Sequence, residues 1–451
     1  MLSHKQQVLL NTVTKLLRKN AHRRVRDIIH KVHTADLAVV FEILNESQQL
    51  VVFDLLTNNE IRAELLEDLE EVVAIRLIKD YSSSEIAELI NLMSTDDATD
   101  LIQEFDEEKV DEILSLLKKD DREDLEELIA YEDDTAGGLM VTEFMAVRCN
   151  ASIKSVLEEI QASGDDAEMV FYTYAVDEDG RLVGIASLRE IIQAEEEDTL
   201  EDIMETDIHK VRPYTDQEEV ARVISQYDLL AVPVVDDENM IIGIVTVDDI
   251  IDVIREENTE DILKLVGTDE DLFEDYSVRK NIIARFPWLL ATWFGGIVVM
   301  KLVGAYEDQL SKFVALTAFF PVILGMSGNV GQQSATIIVR GLAIGKVDVS
   351  RLASTVGKET LTGLVIGVIY GLALAGAAWV EFGDEVAMIP LVVGLSQCAG
   401  MGVAAMAGAL FPMLLTRLNI DPAVSTGPLV TTSLDLIGMW IYIAFATLFI
   451  F

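Results

Sequence analysis

The hydrophobic pattern changes at about residue 279, beyond which the chain consists mainly of long apolar runs. We predict five membrane-spanning helices there, at about 286–303, 313–338, 355–380, 387–415 and 429–451. Each approaches or exceeds the roughly 20 apolar residues that a helix needs to cross a bilayer. Gly and Ala are frequent in these runs, as in GLVIGVIYGLALAGAA and CAGMGVAAMAGAL. Small residues let helices approach closely, so the pattern predicts a packed bundle.

Short apolar-periodic segments without proline fill residues 1–130. Several begin at a capping-box sequence, at Thr57–Glu60 and Ser82–Glu85, with Ser94–Asp97 similar. Segments that recur every 10 to 15 residues predict short stacked helices and hence an all-α superhelical domain.

An internal repeat occupies the middle of the chain. FYTYAVDEDGRLVGIASLREII (171–192) aligns with LLAVPVVDDENMIIGIVTVDDII (229–251) at a spacing of 59 residues. The matched positions are Asp177 with Asp236, Gly184 with Gly243, Ser187 with Thr246, and Met140–Thr142 with Met204–Thr206. Each copy predicts helix, strand, acidic turn, strand and helix. The repeat resembles a tandem pair of cystathionine-β-synthase (CBS) motifs, which bind adenine nucleotides or sense ions; a structural pair with an empty cleft is the alternative.

The pattern therefore divides the chain into four regions. We predict a multidomain architecture: an all-α superhelical N-terminal domain (1–130), an α/β tandem CBS domain (131–254), an acidic amphipathic connector helix (255–278) and a five-span α-helical transmembrane domain (279–451).

Two polar stretches interrupt the apolar runs. In 321–340, PVILGMSGNVGQQSATIIVR, Gly and Pro suggest a broken helix whose polar groups line a cavity. Asn329 and Gln333 in this stretch are candidates for pore lining, with hydrogen bonding between helices as the alternative. The second stretch, DPAVSTGPLVTTSLD (421–435), ends in a carboxylate inside the last predicted span.

Asp435 lies about 9 Å into that span at 1.5 Å per residue. Ionisable groups inside a membrane are costly and usually mark ion paths, although a protonated acid bonded to a neighbouring helix is the alternative. Because the same apolar stretch contains no Lys or Arg, a cation from solution is the natural partner.

Charge is divided very unevenly along the chain. Residues 279–451 (the membrane tail) contain 10 Lys/Arg and 9 Asp/Glu, whereas residues 1–278 (the acidic head) contain the other 24 and 69 of the totals of 34 and 78. An acidic surface attracts cations and makes nucleic acid an improbable partner. Two distant cysteines, Cys149 and Cys398, and five unpatterned histidines argue against a disulfide framework and a zinc site.

Basic residues indicate how the chain is oriented. They flank one side of the predicted spans, at Arg279, Lys280, Arg285, Arg340, Lys346, Arg351, Lys358 and Arg417, and only Lys301 and Lys312 lie on the other side. The positive-inside rule then predicts a cytosolic head and an external C-terminus in a multi-pass protein of the plasma membrane. The N-terminus has no apolar core of signal-peptide length.

Acidic clusters recur in different predicted domains, around residues 96–100, 216–219, 248–252 and 256–261. Each could be a solvated face. Their recurrence with few nearby basic residues instead favours hard divalent cations that bridge carboxylates across domain boundaries. Domain closure would then depend on the cation concentration.

The order of these regions, with the motifs YEDDTAGGLM (131–140), GNVGQQSA (328–335) and DPAVSTGPLVTTSLD (421–435), resembles the MgtE family of magnesium transporters over nearly the whole chain. The resemblance implies a homodimeric Mg²⁺-selective channel with its pore between protomers, in which Asp435 holds hydrated Mg²⁺. It also implies closure by cytosolic Mg²⁺ that bridges the acidic domains to the connector. Gly427 and Thr431 are further pore-lining candidates, and Gly427 replaces a polar residue that the resemblance leads us to expect near the pore mouth.

The resemblance assigns further residues to ligands. The positions that match regulatory Mg²⁺ ligands are Glu64, Asp96, Asp100, Asp216, Asp228, Asp249, Asp252, Glu257 and Glu260. The positions that match an ATP site in the CBS cleft are Tyr172, Arg189 and Glu190. Glu190 stands for an expected Asp and Leu229 for an expected aromatic residue, which departs from the ATP-binding pattern.

Other functions remain open at this stage. One is a broader carrier of divalent cations such as Co²⁺ or Mn²⁺, although the absence of His, Cys or Met pairs beside Asp435 favours a hard ion. Another is a membrane-anchored nucleotide sensor. An enzyme is not expected, because the sequence has no nucleophile–base constellation and no phosphate-binding glycine loop.

Overall fold

A computed structural model describes residues 2–163, 169–265, 278–382, 386–418, 420–422 and 427–451. The chain divides into two compact units, Met1–Arg255 and Glu256–Phe451.

Ten short helices form the first part of the first unit. They are α1 (His4–Leu17), α2 (His22–Ile29), α3 (Thr34–Ile43), α4 (Glu46–Leu55), α5 (Asn59–Glu67), α6 (Glu71–Ile78), α7 (Ser83–Ile90), α8 (Thr95–Gln103), α9 (Glu107–Leu114) and α10 (Lys119–Leu128). Odd-numbered helices contact the next odd-numbered helix from α1 to α9, and even-numbered helices do the same from α2 to α10. Two stacked rows around one apolar core are the packing of a superhelix, so the predicted all-α domain is confirmed.

The predicted helix starts were partly right. Ser82 and Glu85 form a reciprocal capping box at α7, as predicted. The box predicted at Thr57 was wrong, because Asn58 is the N-cap of α5 and its side chain accepts from the Glu60 N–H. Thr57 Oγ1 lies 3.3 Å from His30 Nε2 instead. Asn is an equally good N-cap, so the sequence offered two start positions one residue apart.

The CBS repeat forms two small sheets. The first copy contains β1 (Phe144–Arg148), α11 (Ile153–Ser163), β2 (Met169–Val176), β3 (Leu182–Ser187) and α12 (Leu188–Gln193). A short α13 (Leu200–Ile203) follows, and the second copy contains α14 (Gln217–Tyr227), β4 (Ala231–Val235), β5 (Ile241–Thr246) and α15 (Val247–Leu265). β1 pairs with β2 in parallel, whereas β2–β3 and β4–β5 are antiparallel pairs. The predicted α/β repeat is confirmed.

A glycine–methionine contact occurs twice, each time between the glycine of one copy and the aligned methionine of the other. A Cβ on Gly184 would lie 2.2 Å from Met204 Sδ, and a Cβ on Gly243 would lie 2.7 Å from Met140 Sδ. These are the same four positions that the repeat aligned. Strands β3 and β5 therefore need glycine where a methionine packs against the backbone.

The predicted connector does not begin as a separate helix at residue 255. α15 starts at Val247 and continues without interruption to Leu265, because residues 247–265 contain no Pro or Gly to end the helix. Residues 266–277 of the predicted connector lie outside the described residues.

Among the described residues of the second unit, five helices are long and apolar enough to cross a membrane, as predicted. They lie within α16 (Val278–Gly304), α18 (Phe320–Ala343), α19 (Leu352–Phe382), α20 (Ile389–Arg417) and α21 (Pro428–Phe449). A short α17 (Glu307–Leu310) and a 3₁₀ helix (Val314–Phe319) precede α18, and a second 3₁₀ helix (Val349–Arg351) precedes α19.

The broken helix predicted over 321–340 was wrong, since α18 is continuous through all of its glycines. Pro321 lies in the first turn, where a missing N–H costs no helical hydrogen bond. The glycines are positions of close helix packing. A Cβ on Gly331 would lie 2.1 Å from Leu434 Cδ1 of α21, and one on Gly408 would lie 2.2 Å from the Gly331 carbonyl oxygen.

Replacement of Gly184 by Ala should destabilise the CBS repeat by about 1–3 kcal/mol, because the added methyl group overlaps the Met204 side chain near its backbone. We expect a lower melting temperature for the full chain in detergent. Gly357→Ala is the matched control, because a Cβ there meets nothing within 4 Å. Equal stability of the two variants would contradict the packing argument.

Candidate ion-conducting and regulatory sites

The carboxylate of Asp435 faces the glycine-rich part of α18. The side chain is half-buried, and a Cβ on Gly328 would lie 3.9 Å from its Oδ1 atom. Within the described residues, Asp435 has no hydrogen-bond or ion-pair partner. This geometry does not favour the alternative of an acid that is bonded to a neighbouring helix. An anionic group in this position requires a proton or a cation.

Two polar side chains of α18 follow Gly328 in the sequence and are exposed. Asn329 follows Gly328, and Gln333 lies one helical turn further along the same face. Both are exposed on the surface of the single chain. An amide that faces hydrocarbon is unfavourable, so this face of α18 is suited to water or to a second protein chain.

The start of α21 completes this region. Thr431 lies one turn before Asp435 on the same face and is half-buried. Gly427 is the N-cap residue of α21, is buried, and accepts a hydrogen bond from the Thr431 N–H at 3.4 Å. Gly427 thus contributes backbone rather than a polar side chain.

One polar contact in the membrane tail escaped the sequence analysis. Glu359 lies seven residues, or about 10 Å, beyond the first residue of α19. Its Oε2 accepts a hydrogen bond of 2.8 Å from the Ser334 hydroxyl, which is buried on α18. The sequence feature that could have indicated this contact is an acidic residue inside the third predicted span. It lies next to Lys358, one of the basic residues that indicate the orientation.

In the first unit, acidic side chains of α8 meet the CBS repeat. Asp96 is only 8% exposed, and its Oδ1 is buried without a hydrogen-bond partner among the described residues. Burial raises the pKa of Asp96, and the negative charge of Asp248 adds to the effect. Thr95 of the same helix donates to Glu143 Oε2 at 2.9 Å and accepts from the Thr142 N–H, which fixes α8 beside the repeat.

Neighbouring acids intensify the repulsion at this boundary. Burial raises the pKa of Asp97 to about 8, with further contributions from Asp96, Glu67 and Asp249. Thr246 Oγ1 lies 2.5 Å from both Asp248 Oδ1 and Asp249 Oδ2. A hydroxyl has one proton and can donate to only one of these oxygens at a time.

A second acidic group involves α5. Thr34 donates to Glu64 Oε1 at 2.6 Å. The pKa of the neighbouring Asp68 is raised by loss of solvent, by the charge of Glu64 and, to a smaller extent, by that of Asp252. The predicted residues Glu64 and Asp252 therefore come from different domains and influence a common carboxylate. Asp252 also pairs with Arg255 at 2.6 Å.

The other predicted metal ligands lie in several environments. Asp100 is half-buried one turn after Asp96, and Asp249 is also half-buried. Asp216 caps α14 by accepting from the Glu218 N–H at 2.9 Å, and Asp228 ends the same helix in a left-handed conformation at φ 53°. Glu257 and Glu260 lie on the part of α15 that belongs to the second unit. Across the described ranges, no three His, Cys, Asp or Glu side chains are close enough to form a metal site.

The predicted nucleotide residues share one end of the first CBS copy. Tyr172 of β2 pairs with Ser187, which lies two residues before Arg189 and three before Glu190 in the first turn of α12. Glu190 Oε2 accepts from the Ser187 N–H and hydroxyl at 2.8 and 2.7 Å. This capping box already engages the carboxylate of Glu190, which stands where the ATP-binding pattern has an Asp.

Comparison with known proteins agrees with this architecture. Family models match as the MgtE intracellular N domain over 32–134, as CBS domains over 136–197 and 200–256, and as an MgtE divalent cation transporter domain over 320–445. A solved structure of the cytosolic domain of the Mg²⁺ channel MgtE in complex with ATP is 35% identical, with a TM-score of 0.51 over 54% of this chain and 99% of that chain. The soluble part of a magnesium transporter is 31% identical, with a TM-score of 0.50 over 56% of this chain and 99% of that chain.

Full-length relatives match beyond the soluble domains. The magnesium transporter MgtE of Thermus thermophilus is 34% identical over 98% of this chain and 99% of its own length. That of Bacillus subtilis is 32% identical over 96% of both chains, and that of Enterococcus faecalis is 38% identical over 72% of this chain and 71% of its own. These are transporters rather than enzymes, and the chain belongs to the MgtE family of magnesium transporters.

Proposed function

We propose that the protein is a Mg²⁺-selective channel whose pore forms between two copies of the chain, with Asp435 as the ion-binding residue. The half-buried Asp435, which lacks a partner within the described residues, is the observation that carries the proposal. Mg²⁺ gives up its waters reluctantly and is commonly held by one or two carboxylates, which two copies of Asp435 would supply. The exposed amides of Asn329 and Gln333 and the half-buried Thr431 would contact the waters of the ion.

We further propose that cytosolic Mg²⁺ closes this channel by binding between the acidic domains. The support is the buried group around Asp96, Asp97 and Asp249, whose mutual repulsion a divalent cation would offset. Asp100, Glu64 and Asp252 would extend this surface, and Asp228, Glu257 and Glu260 remain proposed ligands. Asp216 and Glu260 are weaker candidates, because Asp216 already caps a helix and Glu260 already pairs with Lys264.

The proposed orientation follows from the distribution of basic residues. The acidic head lies in the cytosol of a plasma-membrane protein, and the C-terminus lies outside. The acidic head would then be exposed to the Mg²⁺ that has passed through the pore. Closure by cytosolic Mg²⁺ requires this arrangement.

ATP is a proposed ligand of the CBS cleft. The similar cytosolic domain that was solved with ATP supports it, as does the proximity of Tyr172 to Arg189. The capping role of Glu190 predicts weaker contact with the ribose than a free carboxylate would give.

Asp435→Asn should reduce Mg²⁺ uptake by about tenfold or more, since it removes the pore charge while preserving the side-chain shape. Uptake into vesicles that contain a Mg²⁺-sensitive dye provides the measurement. Asp308→Asn serves as a control for loss of an exposed carboxylate outside the proposed pore. Undiminished uptake by Asp435→Asn would refute the pore assignment, and competition with Co²⁺ in the same assay tests selectivity.

Asp96→Asn combined with Asp249→Asn should leave conduction intact but raise the internal Mg²⁺ concentration needed for closure by about fivefold or more. The same change should stabilise the metal-free head, because it removes repulsion between buried carboxylates. Limited proteolysis across a Mg²⁺ titration reports the first effect, and melting in EDTA reports the second. Asp237→Asn is the control, because its side chain is 98% exposed. Wild-type closure in the double variant would contradict the proposed sensor.

Glu359→Ala should reduce transport by about fivefold or more, because the buried Ser334 hydroxyl loses its acceptor and α18 loses its polar contact with α19. Glu359→Gln keeps an acceptor oxygen and should retain most of the activity. Equal losses in the two variants would mean that the charge matters rather than the hydrogen bond. Uptake, normalised to folded protein in the membrane, distinguishes these results.

A further inference from the structure

The last turn of α15 carries an ion pair to the segment that precedes α21. Lys264 Nζ lies 2.7 Å from Asp421 Oδ2 and 2.5 Å from Glu260 Oε1. Asp421 lies seven residues before Pro428, the first residue of the helix that bears Asp435. One ammonium group thus joins a residue of the connector helix to the segment leading into α21.

A second contact begins on the same helix and ends on α18. Arg340 Nη1 donates to Asn258 Oδ1 at 2.6 Å. Arg340 lies in the last turn of α18, which also carries Asn329 and Gln333. Asn258 and Lys264 are six residues, or about 9 Å, apart along α15. The helix is therefore joined by polar contacts to the last turn of α18 and to Asp421, which precedes α21 in the sequence.

The Lys264 pair differs from ordinary surface pairs in its burial. The side chains of Lys264, Glu260 and Asp421 are 27%, 35% and 36% exposed. The pair of Lys154 and Glu158 has a spacing of 4.0 Å, with side chains 63% and 69% exposed. Partial burial acts to lower the pKa of Lys264, but Asp421 and Glu260 more than offset this and raise it above its usual value. Water screens such a pair less than an exposed one.

We propose that the ammonium group of Lys264 holds α15 against Asp421 and thereby favours the closed pore in the absence of Mg²⁺. This inference rests on the proposed function, since it assumes that the connector controls the pore. The tethered ammonium neutralises carboxylates that would otherwise repel one another. Cytosolic Mg²⁺ would then add to a bias that already exists, because a contact that favours one state shifts the population toward that state.

The test uses the full chain in vesicles with controlled internal Mg²⁺. Lys264→Met removes the ammonium while keeping much of the apolar stem, and it should raise the Mg²⁺ concentration for half-closure by about fivefold or more. Lys264→Glu should shift it further, because a third carboxylate then joins Glu260 and Asp421. Lys154→Met is the matched control and should close as the wild type does.

A charge exchange separates the ion pair from a general packing effect. Lys264→Glu with Asp421→Lys restores one ammonium between two carboxylates and should return closure toward the wild-type Mg²⁺ concentration. Failure of this rescue would overturn the proposed role of Lys264. So would closure of Lys264→Met at the same Mg²⁺ concentration as the wild type. In either case, uptake that Asp435→Asn reduces in the same vesicles would still support the proposed channel. Uptake that Asp435→Asn leaves unchanged would refute the channel itself.

Discussion

Carboxylates in partly buried positions need a positive partner, and much of this molecule depends on how that need is met. Water cannot solvate them fully, and charges of the same sign interact strongly where the dielectric constant is low. The chain has 78 acidic and 34 basic residues, so its own side chains cannot pair them all. Cations from solution are the remaining source of charge. In our proposal, this excess makes the chain responsive to the ion that its family transports.

Three ways of meeting the need occur in the two units. Around Asp96, burial and neighbouring acids raise the pKa, which is the condition in which a divalent ion or a proton is favoured. At Glu359, a neutral hydroxyl from Ser334 provides a donor without any charge. At Asp421, the ammonium of Lys264 supplies a permanent cation. In our proposal, the carboxylates around Asp96 respond to the Mg²⁺ concentration. The pair of Lys264 and Asp421 sets the equilibrium between open and closed pores on which Mg²⁺ then acts.

Small residues make the contacts in the membrane tail possible. A Cβ on Gly367 would lie 2.8 Å from the Cys398 carbonyl oxygen, and one on Gly371 would lie 2.6 Å from that of Gly394. Backbone-to-backbone approach between α19 and α20 follows from these glycines. The same closeness occurs at Gly331 beside Leu434, so α18 and α21 are fixed where Asp435 faces Gly328. Packing of glycine thus positions the carboxylate.

The sequence by itself determined the architecture, because hydrophobic period, span length and repeat spacing are local properties of the chain. The five spans, the stacked helices and the four aligned positions Gly184, Gly243, Met140 and Met204 all followed from pattern. Tertiary structure decided which polar groups meet. Glu359 accepts from Ser334 across 25 residues, and Lys264 pairs with Asp421 across 157. It also decided that α18 continues through its glycines, since close neighbours rather than helix propensity fix those positions. Such contacts depend on how helices pack in three dimensions, and no spacing along the chain encodes them.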